Sequence, residues 1–164
     1  MTPELSRKLA LEQIGPAGLE IELRATAAEC QALAARMAIP AVLELACRFR
    51  LTAFPGRLVL AQGELRARVV RHCVVTLDAF ETLTEERFRL RFVPAGSESD
   101  DDDPDSDDEI AYQGGSIDLG EAAAEQLALA LDPYPRKPGA ALPDDAGAVT
   151  DSPFAALARR QPRG

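Results

Sequence analysis

The chain has no tryptophan, 2 tyrosines, 3 cysteines and 1 histidine among its 164 residues, and each shortage excludes something. With aromatics at 5 % there is little surface on which single-stranded bases could stack, so sequence-specific base readout is not expected. Cys30, Cys47 and Cys73 are far apart and odd in number, which argues against a disulfide framework and against a zinc module built on Cys-x-x-Cys pairs. The one histidine, His72, adjoins Cys73, but neighbouring side chains of an extended segment point to opposite faces, so the two should diverge rather than act as base and nucleophile. No glycine-rich phosphate loop or nucleophile motif is present. The reading is a non-enzymatic protein with no catalytic residue, no metal and no cofactor. No apolar run approaches the roughly 18 residues of a membrane span. The opening MTPELSRKLALEQIG lacks a secretory h-region, and a cytoplasmic location is expected.

Acidity dominates the composition, with 27 Asp and Glu against 18 Lys and Arg, yet it is local. Glu98, Asp100, Asp101, Asp102, Asp103, Asp105, Asp107, Asp108 and Glu109 supply nine of those 27 acids, and removing them leaves 18 against 18. The low pI therefore describes one segment and does not exclude an anionic partner.

The remainder contains arginines at strand spacing. Arg87, Arg89 and Arg91 alternate with Phe88, Leu90 and Phe92; Arg66 and Arg68 alternate with Leu65, Ala67 and Val69, and Arg71 extends that run; Arg48 and Arg50 alternate with Cys47, Phe49 and Leu51. Period-2 alternation is the pattern of half-buried antiparallel strands. If these strands share a sheet, one face carries an arginine array suited to phosphate oxygens; the plainer alternative is a solvated face paired with glutamates across strands.

Around these strands the chain reads as α+β. Leu19, Ile21 and Leu23 alternate with charged residues as a first strand. Thr26 to Glu29 has capping-box spacing and opens a helix of about three and a half turns ending before Pro40. Phe54-Pro-Gly-Arg57 marks a hairpin turn. The change from even-numbered Leu58 and Leu60 to odd-numbered Leu65, Ala67 and Val69 suggests a bulge near Gly63. Asp78 to Thr84 reads as a connection. Residues 95–112 read as a disordered acidic insertion, whose spacing does not fit an EF-hand; its alternative roles are a solvated linker or a segment that folds back over the arginine face and competes with anions for it. A short strand at Ser116 to Asp118 leads into a second helix, capped by Asp118 and ending before Pro133. Beyond 140 an irregular, flexible C-terminal arm is expected, with a helical turn at Pro153 to Arg160 whose Phe154, Leu157, Arg159 and Arg160 suit a partner.

Taken together, ECQALAARMAIP, GELRARVVRHCVVTLDAF, ERFRLRFVP, the acidic insertion, IDLGEAAAEQLALALDPYPRKPGA and a terminal SPFAALARR resemble the YceD family of large ribosomal RNA subunit accumulation proteins, most closely its alphaproteobacterial branch, from about Gly18 to Ala140. Most members carry paired cysteines where this chain has Cys73 followed by Val74, Val75 and Thr76; the second cysteine is absent, and a metal or redox role for the pair goes with it. The resemblance implies a non-enzymatic part in making or stabilising the large subunit's 23S rRNA. The expectation is thus one domain over 1–140 and an arm over 141–164. Its bent antiparallel sheet, with a barrel-like form as a variant, carries two flanking helices. The RNA-facing residues would be Arg48, Arg50, Arg66, Arg68, Arg87, Arg89 and Arg91. The partner would be 23S rRNA or a pre-large-subunit particle, or, if the chain is instead an acidic adaptor or chaperone, a basic ribosomal protein; neither membrane nor DNA is expected.

Overall fold

The computed structural model describes residues 2–100 and 103–142. Among these residues seven strands and two α-helices follow in chain order: β1 (Lys8–Ala10), β2 (Leu19–Arg24), α1 (Ala27–Arg36), β3 (Ala41–Phe54), β4 (Leu58–His72), β5 (Ala79–Pro94), β6 (Asp108–Tyr112), β7 (Ser116–Asp118) and α2 (Leu119–Ala130). The main sheet has the order β2-β3-β4-β5-β6, and β1 pairs with β7 in a separate ribbon. All neighbours in the main sheet are antiparallel except β5 and β6. The architecture is α+β. The sheet does not close: β2 and β6 form its two outer strands, so the barrel-like variant is set aside.

Alternation builds this sheet and gives it two unlike faces. On the inner face Leu45, Cys47, Phe49 and Leu51 of β3, Val59, Ala61, Leu65, Ala67 and Val69 of β4, and Leu90 and Phe92 of β5 are buried. They join Cys30, Leu33 and Ala34 of α1 and Leu119, Ala122, Ala123, Ala124 and Leu127 of α2 in one apolar cluster. Helices on one face of an antiparallel sheet leave the other face open to water.

The expected helix signals are present, with shorter helices than the sequence suggests. The Thr26 hydroxyl accepts from the Glu29 amide and the Glu29 carboxylate accepts from the Thr26 amide, a complete capping box. Arg7 grips that same carboxylate through both terminal nitrogens, at 2.6 and 2.8 Å. Helix α1 stops at Arg36, ahead of Pro40, because Ala38 turns left-handed at φ 52° and the Ile39 amide reaches back to the Ala34 carbonyl at 3.0 Å; this is a Schellman stop with alanine in the place glycine usually takes. Asp118 caps α2 by accepting from the Gly120 and Glu121 amides, but Glu121 does not complete a box; it pairs with Arg36 at 2.8 Å.

Three expectations about the strands are corrected. No bulge occurs at Gly63: pairing runs unbroken on both sides of it, and Val59 and Ala61, not Leu58 and Leu60, face the core. The string LVLA is apolar at both parities, so its facing is not fixed by pattern. Gly63 serves another purpose, since a Cβ there would lie 2.0 Å from the Phe88 ring; the missing side chain admits the edge-to-face contact of Phe49 and Phe88 across it, with ring centres 5.7 Å apart. The irregularity lies in β3 between Val42 and Glu44, where the extra residue lets even-numbered Val42 and odd-numbered Leu45 both point inward. Residues 79–84, read as connection, are the first part of β5, pairing with β4 as far as Ala79 opposite His72. Finally, the segment expected to be disordered over 95–112 includes β6, which adds to the β5 edge in parallel from Asp108 opposite Leu90 to Tyr112 opposite Pro94. Burial of Tyr112 and donation from its hydroxyl to the Arg57 carbonyl hold that strand in place.

Candidate nucleic-acid interface

The register of the sheet places Arg48, Arg50, Arg66, Arg68, Arg87, Arg89 and Arg91 on its outer face. Three rows cross the strands there: Glu20, Arg50, Gln62 and Arg89; Glu22, Arg48, Glu64 and Arg87; and Arg24, Ala46, Arg66 and Glu85. A fourth runs from Glu44 to Arg68 to Leu83. Arg71 belongs to the other parity and donates to the Asp132 carbonyl at 2.8 Å.

Acids alternate with these arginines in both directions. Arg50 hydrogen-bonds Glu20 at 2.7 Å and Arg68 bonds Glu81 at 2.7 Å. Arg48 lies 3.5 Å from Glu22, Arg66 3.5 Å from Glu85, and Arg87 3.3 Å from Glu64. Arg89 lies 3.2 Å from Asp107, and Arg91 pairs with Glu109. Arg24 joins Glu22 at 2.8 Å and Glu44 at 3.8 Å. Eight arginines thus meet eight carboxylates (Glu20, Glu22, Glu44, Glu64, Glu81, Glu85, Asp107 and Glu109), and the face is electrically balanced.

Balance does not mean saturation. A guanidinium has five N–H donors, and the ion pairs of Arg48, Arg66 and Arg87 are long, at 3.5, 3.5 and 3.3 Å. Their side chains are 64 %, 68 % and 86 % exposed, and pairs of this kind contribute about 0 to 1 kcal/mol each. Donors therefore remain for a phosphate oxygen beside the existing carboxylate. A shallow groove of about 850 Å³ runs over this face, with Arg48, Arg50, Arg87 and Arg89 on its floor and Pro104, Ser106 and Asp107 along one wall.

The cysteines are separated from this face. Burial pushes the Cys47 thiol up to about 12. Cys73 is fully buried in the turn between β4 and β5, where its sulfur accepts from the Thr76 amide at 3.5 Å and the Lys137 amide at 3.3 Å. The hydrogen bond from Thr76, with the other amides around the sulfur, brings that thiol down to about 7. His72 is exposed beside it. No group of three or more metal-ligating side chains occurs among the described residues. No described helix is long and apolar enough to cross a membrane. Phe154, Leu157, Arg159 and Arg160, the arm residues singled out in the sequence, lie outside the described residues, as does the helical turn expected there.

Cross-strand glutamates are the plainer of the two sequence readings of the arginines, but which glutamate meets which arginine depends on register between strands that are distant in the chain. The fold-back of the acidic segment over the arginines is one of the sequence alternatives, but it does not single out Asp107 and Glu109, although Ile110 and Tyr112 give a short alternation that signals β6. Residues 61–159 match the family model for the large ribosomal RNA subunit accumulation protein YceD, well over half of the chain. The chain belongs to this family. No curated protein and no solved structure gives a significant match. The YceD match begins within β4, so Arg66, Arg68, Arg87, Arg89 and Arg91 fall inside it, and Arg48 and Arg50 lie before it.

Proposed function

We propose that this YceD-family protein supports accumulation of large-subunit ribosomal RNA without catalysis, in the cytoplasm, by laying its outer sheet face against phosphates of 23S rRNA or of a pre-large-subunit particle. The observation that carries this reading is the gathering of all seven arginines on one open, grooved face with guanidinium donors to spare. Arginine forks match phosphate oxygens. The contacts are positioning contacts, blind to base identity, and selection falls to RNA shape or to protein neighbours. The interleaved carboxylates repel phosphates as well, so binding is expected to be modest and to weaken as salt rises.

The test pairs binding with sedimentation. Changing Arg66, Arg68, Arg89 and Arg91 together to glutamine should weaken binding to a 23S rRNA fragment and flatten its salt dependence. The unmodified protein should sediment with pre-large-subunit particles in low salt. Unchanged affinity and slope in the glutamine variant would reject the arginine face.

The charge balance of the face favours a second reading, in which the arginines are merely solvated and the protein is an adaptor or chaperone. There the acidic segment and the C-terminal arm, with Phe154, Leu157, Arg159 and Arg160, engage a basic ribosomal protein. Removing residues 96–109 separates the readings: an adaptor loses its basic partner, whereas an RNA-binding face keeps or gains RNA affinity.

A further inference from the structure

The carboxylates of the outer face have two origins. Glu20, Glu22, Glu44, Glu64, Glu81 and Glu85 grow from β2 to β5 and are part of the sheet itself. Asp107 and Glu109 come from the acidic segment, Asp107 just ahead of β6 and Glu109 on that parallel edge strand opposite Arg91, and they pair with Arg89 and Arg91. Their side chains are 22 % and 14 % exposed, against 38 % to 63 % for the six fixed carboxylates. Glu109 also accepts from the Ser99 amide at 2.8 Å and the Ser99 hydroxyl at 2.9 Å, so both ends of the segment are fastened to one carboxylate beside Arg91. The same segment makes the groove wall at Pro104, Ser106 and Asp107. Arg91 meanwhile keeps a buried Nε–H with no partner among the described residues, a donor that Glu109 leaves unused.

We infer that Asp107 and Glu109 are a built-in phosphate mimic, which occupies Arg89 and Arg91 and is exchanged for backbone phosphates when an RNA strand enters the groove. The inference rests on reading the arginine face as an RNA surface. An internal anion of this kind sets a threshold. A weakly held polyanion gains nothing at Arg89 and Arg91 that the carboxylates do not already supply, whereas a strand fixed by the remaining arginines displaces them. Each displaced carboxylate recovers a counterion, which offsets the counterion released from the phosphate, so the protein's salt slope is shallower than its number of phosphate contacts implies.

The experiment titrates a short polyuridine RNA into the full chain across a salt series. Compared with the unmodified protein, D107N/E109Q is expected to bind about tenfold tighter in low salt, with a slope steeper by roughly 1.4, about 0.7 for each phosphate no longer offset. D107N alone, which leaves Glu109 and its Ser99 hydrogen bonds in place, is expected to show about half of the slope change and serves if the double variant does not fold. RNA should also release the Ser99 amide in the unmodified protein, read as faster hydrogen exchange. The inference is overturned if the acidic variants leave affinity and slope unchanged while R89Q/R91Q weakens binding; in that event the arginine face stands without its competitor. If neither R89Q/R91Q nor R48Q/R66Q alters binding in either background, the arginine-face reading itself fails and takes the inference with it.

Discussion

The two faces of the main sheet are made by alternate residues of the same strands and are stabilised in different ways. In β4, Leu65, Ala67 and Val69 are at most 2 % exposed, while the intervening Arg66 and Arg68 have side chains 68 % and 48 % exposed. Full burial of a Leu, Val or Phe side chain is worth about 1.5 to 3 kcal/mol, whereas a solvated ion pair is worth about 0 to 1 kcal/mol. Stability therefore resides on the inner face, and the outer face is left free to exchange partners. A protein built this way can have its binding surface altered with little effect on folding, and the comparison is open to test from both sides.

The largest effect should come from the inner face at Phe49, which is fully buried and stacks edge-to-face on Phe88. Phe49→Ala is expected to destabilise by about 3 to 5 kcal/mol through lost transfer energy and an unfilled cavity, measured by urea unfolding. A loss below about 1 kcal/mol would show that this face does not carry the fold. Gly63→Ala comes next. Its added methyl meets the Phe88 ring at 2.0 Å, so the ring must leave its place over the glycine. The expected loss is about 1 to 3 kcal/mol, and Phe88→Leu combined with Gly63→Ala should recover part of it by removing the obstruction.

What the sequence disclosed follows the same division. Alternation in LRARV and RFRLRF gave the strands and their two faces, and Thr26 and Asp118 marked both helix starts, because these signals depend on residues a few positions apart. The sites where the reading failed depend on partners far away. LVLA, apolar at both parities, takes its facing from the strands on either side of β4, and the glycine after it takes its role from Phe88, 25 residues later. The arginines were placed on one face correctly, but their carboxylates come from β2, β3, β4, β5 and the acidic segment, in a register that local pattern does not specify. Acid density over 95–112 hid β6, whose pairing relies on the β5 edge and on arginines that neutralise Asp107 and Glu109.

One ion pair stands apart from the outer-face set and sharpens the contrast. Glu29 is held by both Arg7 nitrogens and by the Thr26 amide, and its side chain is only 21 % exposed. The Arg7 hydrogen bond, with the Thr26 contacts, lowers its carboxyl from 4.5 to about 2. Because the folded value lies below the unfolded one, the stabilisation is fully present above about pH 5 and is lost as the pH falls toward 2. Solvent screening reduces it to on the order of 1 kcal/mol. Glu29→Gln retains a side-chain oxygen for the capping box while removing the charge, so its thermal stability should lie below that of the unmodified protein at neutral pH and converge with it near pH 2. Parallel curves would assign the effect to other carboxylates.

The smallest change in stability is expected where the change in binding should be clearest. Arg66 and Arg87 each meet one carboxylate through Nε, at 3.5 and 3.3 Å, and neither pair is buried. Arg66→Gln and Arg87→Gln should each shift the urea midpoint by no more than about 0.5 kcal/mol in stability, since glutamine keeps part of the aliphatic stem and the freed glutamate returns to water. If these arginines touch phosphates, each substitution should also flatten the salt dependence of RNA binding by roughly 0.7 to 0.9. Stability and binding then change independently, which is the behaviour expected of two faces with separate duties. A destabilisation of 2 kcal/mol or more would instead mean that the outer ladder helps hold the sheet together, and the division of labour between the faces would have to be given up.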